Sequence, residues 1–278
     1  MEVVECQMFR YMLSKNPMIL KYVMAAYYDE DGTPRENVLH HRKLYTARVL
    51  GSRMSGEMWT SLCNGFSNLM NVLYLAEREN QEIDGFVEGD DGIFGMYEPF
   101  LTSEMFRELG FNIKMQYGDD LSHTSFCGNV FDPRSLTLVV SPEQISRLFW
   151  SCSIQYIHAK TSKLIKLLRA KAMSLYITGK YTPICGPLAH QVMKIIGKGD
   201  YIVDPNQQWY ENYLGISSKN LKFEKVEIPL CNRELYETKY GITIGEQLAL
   251  EKFISSCTSI NQLQLPFEYG KSNFESVY

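Results

Sequence analysis

Two aspartates stand side by side at Asp90 and Asp91, with Gly89 before them and Gly92 after. Adjacent carboxylates repel, and they stay ionised at little cost only when a cation sits between them and whatever they bind. Hard carboxylate oxygens near phosphates suit Mg2+ or Mn2+. Two such ions can hold the attacking and leaving oxygens of a phosphoryl transfer. Asp90 and Asp91 are therefore candidate metal ligands and catalytic residues, and glycines on both sides would let a nucleic-acid strand approach the backbone closely. Asp and Gly are also ordinary turn residues, and the tripeptide recurs at Gly118-Asp119-Asp120. The surroundings separate the two copies. Apolar runs flank the first on both sides, as in a hairpin with a glycine-bearing loop over 83–95. Leu121-Ser122-His123-Thr124 follows the second, which reads as a solvated loop remote from any metal site.

Upstream, Ser55-Gly56, Thr60 and Asn64 form S-G-x-x-x-T-x-x-x-N. Gly56 gives a flexible loop at the mouth of a helix. Thr60 and Asn64 are four apart and share one helix face. A hydroxyl and an amide so placed can hydrogen-bond sugar hydroxyls, and the 2′-hydroxyl is what separates ribose from deoxyribose. The same residues also fit a capped helix start with small polar groups inside.

These groups need a scaffold. Apolar residues at helical spacing predict a helix over 2–14, stopped at Lys15-Asn16-Pro17. An apolar stretch over 18–28 leads to a turn at Asp29–Gly32. Residues 43–50 read as a strand, Thr60–Glu79 as a long helix, and 101–110 as a helix closed by Gly110. Residues 111–116 alternate like a strand, and Phe126–Val130 reads as another hairpin. Ser141-Pro142-Glu143 opens a helix with Pro at its first position. Helical periodicity then runs to about Leu175, and further helices are expected near 186–197, 206–214 and 245–256. The expected fold is α+β: a mixed unit over 1–140 and a mostly helical one over 141–278.

Bulk properties bound the partners. With 278 residues and 45% hydrophobic side chains, a sizeable core is expected. The net charge of −4 argues mildly against nucleic acid. Two basic stretches stand against that average: His40, His41, Arg42, Lys43, Arg48 and Arg53, and then Lys160, Lys163, Lys166, Arg169 and Lys171. Such runs are more often solvated faces than binding sites. The 7 cysteines include no C-x-x-C pair, which points away from a zinc site and from a disulfide framework. No apolar run is long enough to span a bilayer, so any membrane anchor is expected outside this chain.

Taken in order, the Ser-Gly…Thr…Asn helix, the Gly-Asp-Asp hairpin, a helix and strand, and an aromatic-Cys-Gly hairpin resemble the RNA-dependent RNA polymerases of positive-strand RNA viruses. Among these, the likeness is greatest to the tombusvirus-like and nodavirus-like groups. Arg53–Gly65 matches the family's motif B and Val87–Gly92 its motif C. Residues 101–116 stand where motif D belongs, and Phe126–Asn129 where motif E belongs. The resemblance implies a right-hand polymerase palm over 1–140 followed by a helical thumb, with nucleotidyl transfer from a nucleoside triphosphate to an RNA 3′ end. It implies Asp90, supported by Asp91, as ligands of Mg2+ or Mn2+. Arg53, Ser55, Gly56, Thr60 and Asn64 would position template and ribose. Lys114, rather than Arg107, would be the acid that protonates pyrophosphate, because arginine hardly deprotonates. Phe126, Cys127 and Gly128 would hold the primer end. The implied partners are RNA template and primer, nucleoside triphosphates and other viral replication proteins. The implied place is the host cytoplasm, in a replication complex held at a membrane by parts outside this chain. The family's motif A, a strand with two aspartates about four residues apart, has no match before Ser55. The expectation is a polymerase fragment that begins after motif A and is inactive alone. The alternative is a non-catalytic remnant captured in a host genome, with an RNA-binding or structural role.

Overall fold

The computed structural model describes residues 2–41, 45–50, 59–149, 156, 158–202 and 222–263. They divide into two compact units, Met1–Gln116 and Tyr117–Tyr278. Each unit mixes helices with two-stranded antiparallel sheets, as an α+β chain does. The change to mostly helical sequence expected near residue 140 falls inside the second unit, after its hairpin.

In the first unit α1 (Glu2–Met12) and α2 (Pro17–Met24) precede a hairpin of β1 (Glu36–His41) and β2 (Tyr45–Leu50). The strand expected over 43–50 is β2; β1 was hidden in the basic stretch. The spine of the unit is α3 (Thr60–Arg78), which packs on two sides. Near its start, Cys63 joins Met8 and Phe9 of α1, with Leu20, Val23, Tyr27, Trp59 and Phe66 around them. Near its end, Val72 and Leu75 meet Leu101 and Phe106, backed by Phe94, Met96, Phe111, Ile113 and Met115. A buried carboxylate fastens the first of these contacts. Glu5 is 1% exposed and accepts hydrogen bonds from Tyr27 Oη at 3.0 Å and Ser67 Oγ at 3.2 Å. Burial, and then the neighbouring Cys63 and Glu5, push the Tyr27 phenol well above its ordinary value.

After α3 come β3 (Ile83–Glu88) and β4 (Asp91–Met96), paired from Ile83↔Met96 to Glu88↔Asp91. This is the hairpin expected over 83–95. Next is α4 (Ser103–Glu108), capped by Thr102 and ended by Gly110 at φ +87°. Residues 111–116 depart from expectation. They form no strand. Phe111, Ile113 and Met115 do turn inward onto the α3 cluster while Asn112, Lys114 and Gln116 face out. Alternation reported the buried face correctly, but a buried face alone does not make a strand.

The second unit opens with a 3-10 turn (Leu121–His123) and the hairpin β5 (Asn129–Asp132) and β6 (Thr137–Val140). Helices α5 (Glu143–Phe149), α6 (Thr161–Gly179), α7 (Cys185–Ile196), α8 (Leu230–Tyr240) and α9 (Ile244–Ser256) follow. The helical run expected from 141 to about 175 is therefore broken, since residues 158–160 are not helical. The helix expected near 206–214 lies outside the described residues. Helix α8, which mixes charged and apolar side chains closely, was not anticipated. One core joins Val130, Val139 and Val140 of the hairpin to Tyr176, Ile184, Leu188, Val192, Leu235, Tyr236 and Ile254. None of the described helices is long and apolar enough to cross a membrane.

The basic stretch at 160–171 is not one open face. Arg169 is 7% exposed and donates to the carbonyls of Ile196, Gly197 and Asp200, closing the C-terminal end of α7. Lys166 pairs with Asp200 at 3.1 Å, Lys171 donates to the Arg147 carbonyl, and Lys163 lies over the Tyr156 ring. In the earlier stretch Arg48 pairs with Glu36, while Arg42, Lys43 and Arg53 lie outside the described residues.

Candidate functional site

Glu88 pairs with Asp91, so the β3–β4 turn contains only Gly89 and Asp90. Gly89 has φ +60°, a conformation that costs most side chains energy and glycine little. Asp90 and Asp91 are both exposed at this tip.

The tip lies against the first half of α3. Ser61 Oγ donates to Glu88 Oε1 at 3.3 Å, and Asn68 Nδ2 donates to the Asp90 carbonyl at 3.2 Å. Between them the helix carries Gly65, where an added Cβ would sit 3.5 Å from the Gly89 nitrogen. Residues 61, 65 and 68 follow helical spacing and form one stripe. Thr60 and Asn64, half-buried, lie on the adjoining stripe of the same turns. The structure thus seats the Gly89–Asp90 turn on α3, whose first turns also carry Thr60 and Asn64. Ser61, Gly65 and Asn68 are site-building residues that the sequence reading missed. Their signal was present, because Asn68 continues the four-residue spacing of Thr60 and Asn64.

Arg53, Ser55 and Gly56 lie outside the described residues. Lys114 is in the first unit, exposed on the outward side of 111–116. Phe126, Cys127 and Gly128 belong to the second unit. There Phe126 and Asn129 exchange backbone hydrogen bonds of 2.9 and 3.0 Å around a two-residue turn. Cys127 and Gly128 have φ +51° and +72°, as a type I′ hairpin turn requires.

The turn end of the β5–β6 hairpin is fixed to α8. Asn232 is 0% exposed; its Oδ1 accepts from Ser135 Oγ at 2.7 Å, and its Nδ2 donates to Thr137 Oγ1 at 2.8 Å and the Tyr181 carbonyl at 2.9 Å. Arg134 donates to Glu234 and to the Cys231 carbonyl. Two turns along α8, Lys239 Nζ donates to the His123 carbonyl at 2.7 Å. Burial works against ionised Asp132, yet the Arg134 guanidinium and the backbone N–H groups of Arg134 and Ser135 hold its carboxyl below the usual range.

The second Gly-Asp-Asp copy is an exposed loop. Asp120 caps the 3-10 turn, accepting from the Ser122 nitrogen and hydroxyl at 2.6 and 2.5 Å. These bonds lower its pKa, which fits a structural cap.

Asp90 and Asp91 suit a hard divalent cation by donor type. Two carboxylates from one hairpin tip would need phosphates, water or another carboxylate to complete a ligand set. Among the described residues no group of three or more His, Cys, Asp or Glu side chains is placed to hold a metal.

Residues 43–184, a little over half of the chain, match the family model for viral RNA-dependent RNA polymerase. No curated protein and no solved structure matches the chain.

Proposed function

We propose, from the premise that this chain belongs to the viral RNA-dependent RNA polymerase family, that it is the partial palm and the thumb of an RNA-directed RNA polymerase. The observation that carries the reading is the Gly89–Asp90 turn seated on the helix of Thr60 and Asn64, within the matched stretch. The order of the motifs supports a positive-strand RNA virus of tombusvirus-like or nodavirus-like kind. We propose with it, as what the family resemblance implies, work in the host cytoplasm, in a membrane-held replication complex with other viral proteins.

In this reading residues 1–140 act as palm and 141–278 as thumb. The reaction joins an RNA 3′ oxygen to the α-phosphorus of a nucleoside triphosphate and releases pyrophosphate. Bound Mg2+ or Mn2+ would offset the charge that gathers on the phosphates. Asp90, with Asp91, would hold the ion. Thr60 and Asn64 hydrogen-bond the incoming ribose, and Arg53, Ser55 and Gly56 guide the template. Lys114 gives a proton to the departing pyrophosphate. The Phe126–Gly128 turn holds the primer 3′ end.

Fixing both ions takes carboxylates from more than one strand, and Asp90 and Asp91 come from one hairpin tip. Residues 1–278 alone are therefore expected to be inactive. The test is primer extension on an RNA template with Mg2+ or Mn2+. It compares the 278-residue chain with one to which a strand bearing two aspartates about four residues apart has been added. The longer chain should extend the primer, and Asp90→Ala should abolish extension. Robust synthesis by the 278-residue chain, or synthesis indifferent to Asp90→Ala, would overturn the assignment.

A further inference from the structure

A two-residue turn aims two adjacent carboxylates only if its peptide planes are held. Here the turn residue Gly89 has φ +60°, and glycine lets the neighbouring peptide rotate at low cost. The orientation of the Asp90 carbonyl sets ψ of Asp90 and φ of Asp91, and hence where both side chains point. That carbonyl accepts a hydrogen bond from Asn68 Nδ2 at 3.2 Å.

We propose that Asn68 is a positioning residue for the carboxylate pair: its amide latches the Asp90 carbonyl and so fixes the directions of Asp90 and Asp91.

Three further observations support the latch. Ser61 and Gly65 dock the same stripe of α3 on the same tip, with Ser61 Oγ 3.3 Å from Glu88 Oε1. Asn68 thus starts from a helix already seated on the turn. Gly92 keeps its path open, because a Cβ at 92 would lie 3.1 Å from Asn68 Nδ2 and 2.6 Å from the Phe94 ring. The amide is also neutral and half-exposed. Its removal frees a carbonyl that water can reach, so orientation suffers more than folding. This inference rests on reading Asp90 and Asp91 as metal ligands.

The test is Mn2+ binding to the 278-residue chain, followed by electron paramagnetic resonance, with thermal unfolding in parallel. The chains are wild type, Asn68→Ala, Asn68→Leu, Asp90→Ala and the Asn68→Leu/Asp90→Ala double variant. Leu keeps the side-chain size without an N–H donor. The expected result is Mn2+ affinity lowered about three- to tenfold in both Asn68 variants, the scale of one lost hydrogen bond. The unfolding temperature should stay at the wild-type value. Adding Asn68→Leu to Asp90→Ala should weaken Mn2+ binding by a smaller factor than Asn68→Leu does in the wild type, because only Asp91 is left to be aimed. Loss of binding in Asp90→Ala with wild-type affinity in Asn68→Leu would overturn the latch and leave the metal site standing. Binding indifferent to Asp90→Ala would overturn the metal site and the latch together.

Discussion

Substitutions at Gly65 should give a stability and binding series that reverses sign with side-chain size. Gly65 lies inside α3, where glycine costs about 0.5–1 kcal/mol relative to alanine. Helix propensity alone would favour any other residue except proline. The space at the turn decides how much of that gain survives. A Cβ at 65 would meet the Gly89 nitrogen at 3.5 Å, the Gly89 oxygen at 3.7 Å and Val87 Cγ2 at 3.7 Å. All three are ordinary contacts, so one methyl fits. A further carbon beyond it would press on Gly89 backbone, and backbone cannot rotate aside as a side-chain end can. Overfilling of this kind costs roughly 1–3 kcal/mol. Gly65→Ala should therefore be neutral or stabilise by up to about 1 kcal/mol and keep Mn2+ affinity. Gly65→Leu should lose the propensity gain to the clash, destabilise by about 1–2 kcal/mol, and weaken Mn2+ binding by lifting the turn from α3. Hydrogen exchange over 60–78 and 83–96 in increasing urea would read both effects. A Leu variant as protected as the Ala variant, with unchanged Mn2+ affinity, would refute the close approach of helix and turn.

Three other outcomes follow from the second unit. Asn232→Ala should destabilise it by about 2–4 kcal/mol, since three hydrogen bonds are lost and the Tyr181 carbonyl is left without that donor; urea unfolding should show the fall. Gly128→Val should cost about 1–2 kcal/mol, because φ +72° is strained for an L side chain, and the same unfolding curve reads it. Stability should also fall at both ends of the pH scale. Burial pushes the Cys185 thiol up from 9.0 to about 12 and, ahead of the nearby Cys185 and Glu143, the Tyr240 phenol from 10.0 to about 12. The unfolded chain loses these protons first, so the stabilisation present below pH 9 drains away between about 9 and 12. Asp132, held below its ordinary value, contributes stability above that value and loses it as pH falls further. Unfolding temperatures across pH would check both arms.

The hairpin tip and the start of α3 were legible in the sequence to the extent that they are local. Asp90 and Asp91 sit between apolar runs that can only pair, so the hairpin followed from the residues themselves. Thr60 and Asn64 shared a face by spacing alone. Gly65 and Asn68 escaped notice because their importance depends on which stripe of α3 meets the turn, a tertiary fact. Residues 111–116 show the same limit: alternation marks a buried face but names no ladder partner. Arg169 was counted with an open basic stretch, yet its charge lies against the carbonyls that end α7, which no linear pattern encodes. Helix α8 was missed because its apolar residues Leu230, Leu235 and Tyr236 form too short a stripe among charges, and its stability comes from the core it joins and from Asn232.

The central claim is that the metal-binding carboxylates of this chain are Asp90 and Asp91, and not the second Gly-Asp-Asp copy. Bound Fe2+ reduces added hydrogen peroxide to hydroxyl radical and hydroxide, ascorbate returns the Fe3+ to Fe2+, the radical cuts the backbone beside the ion, and tagged fragments locate the cut. The cut should fall within 88–92, disappear in Asp90→Ala, and fade as Mg2+ is added in competition. Cleavage at 118–121 that Asp90→Ala leaves intact would contradict the account.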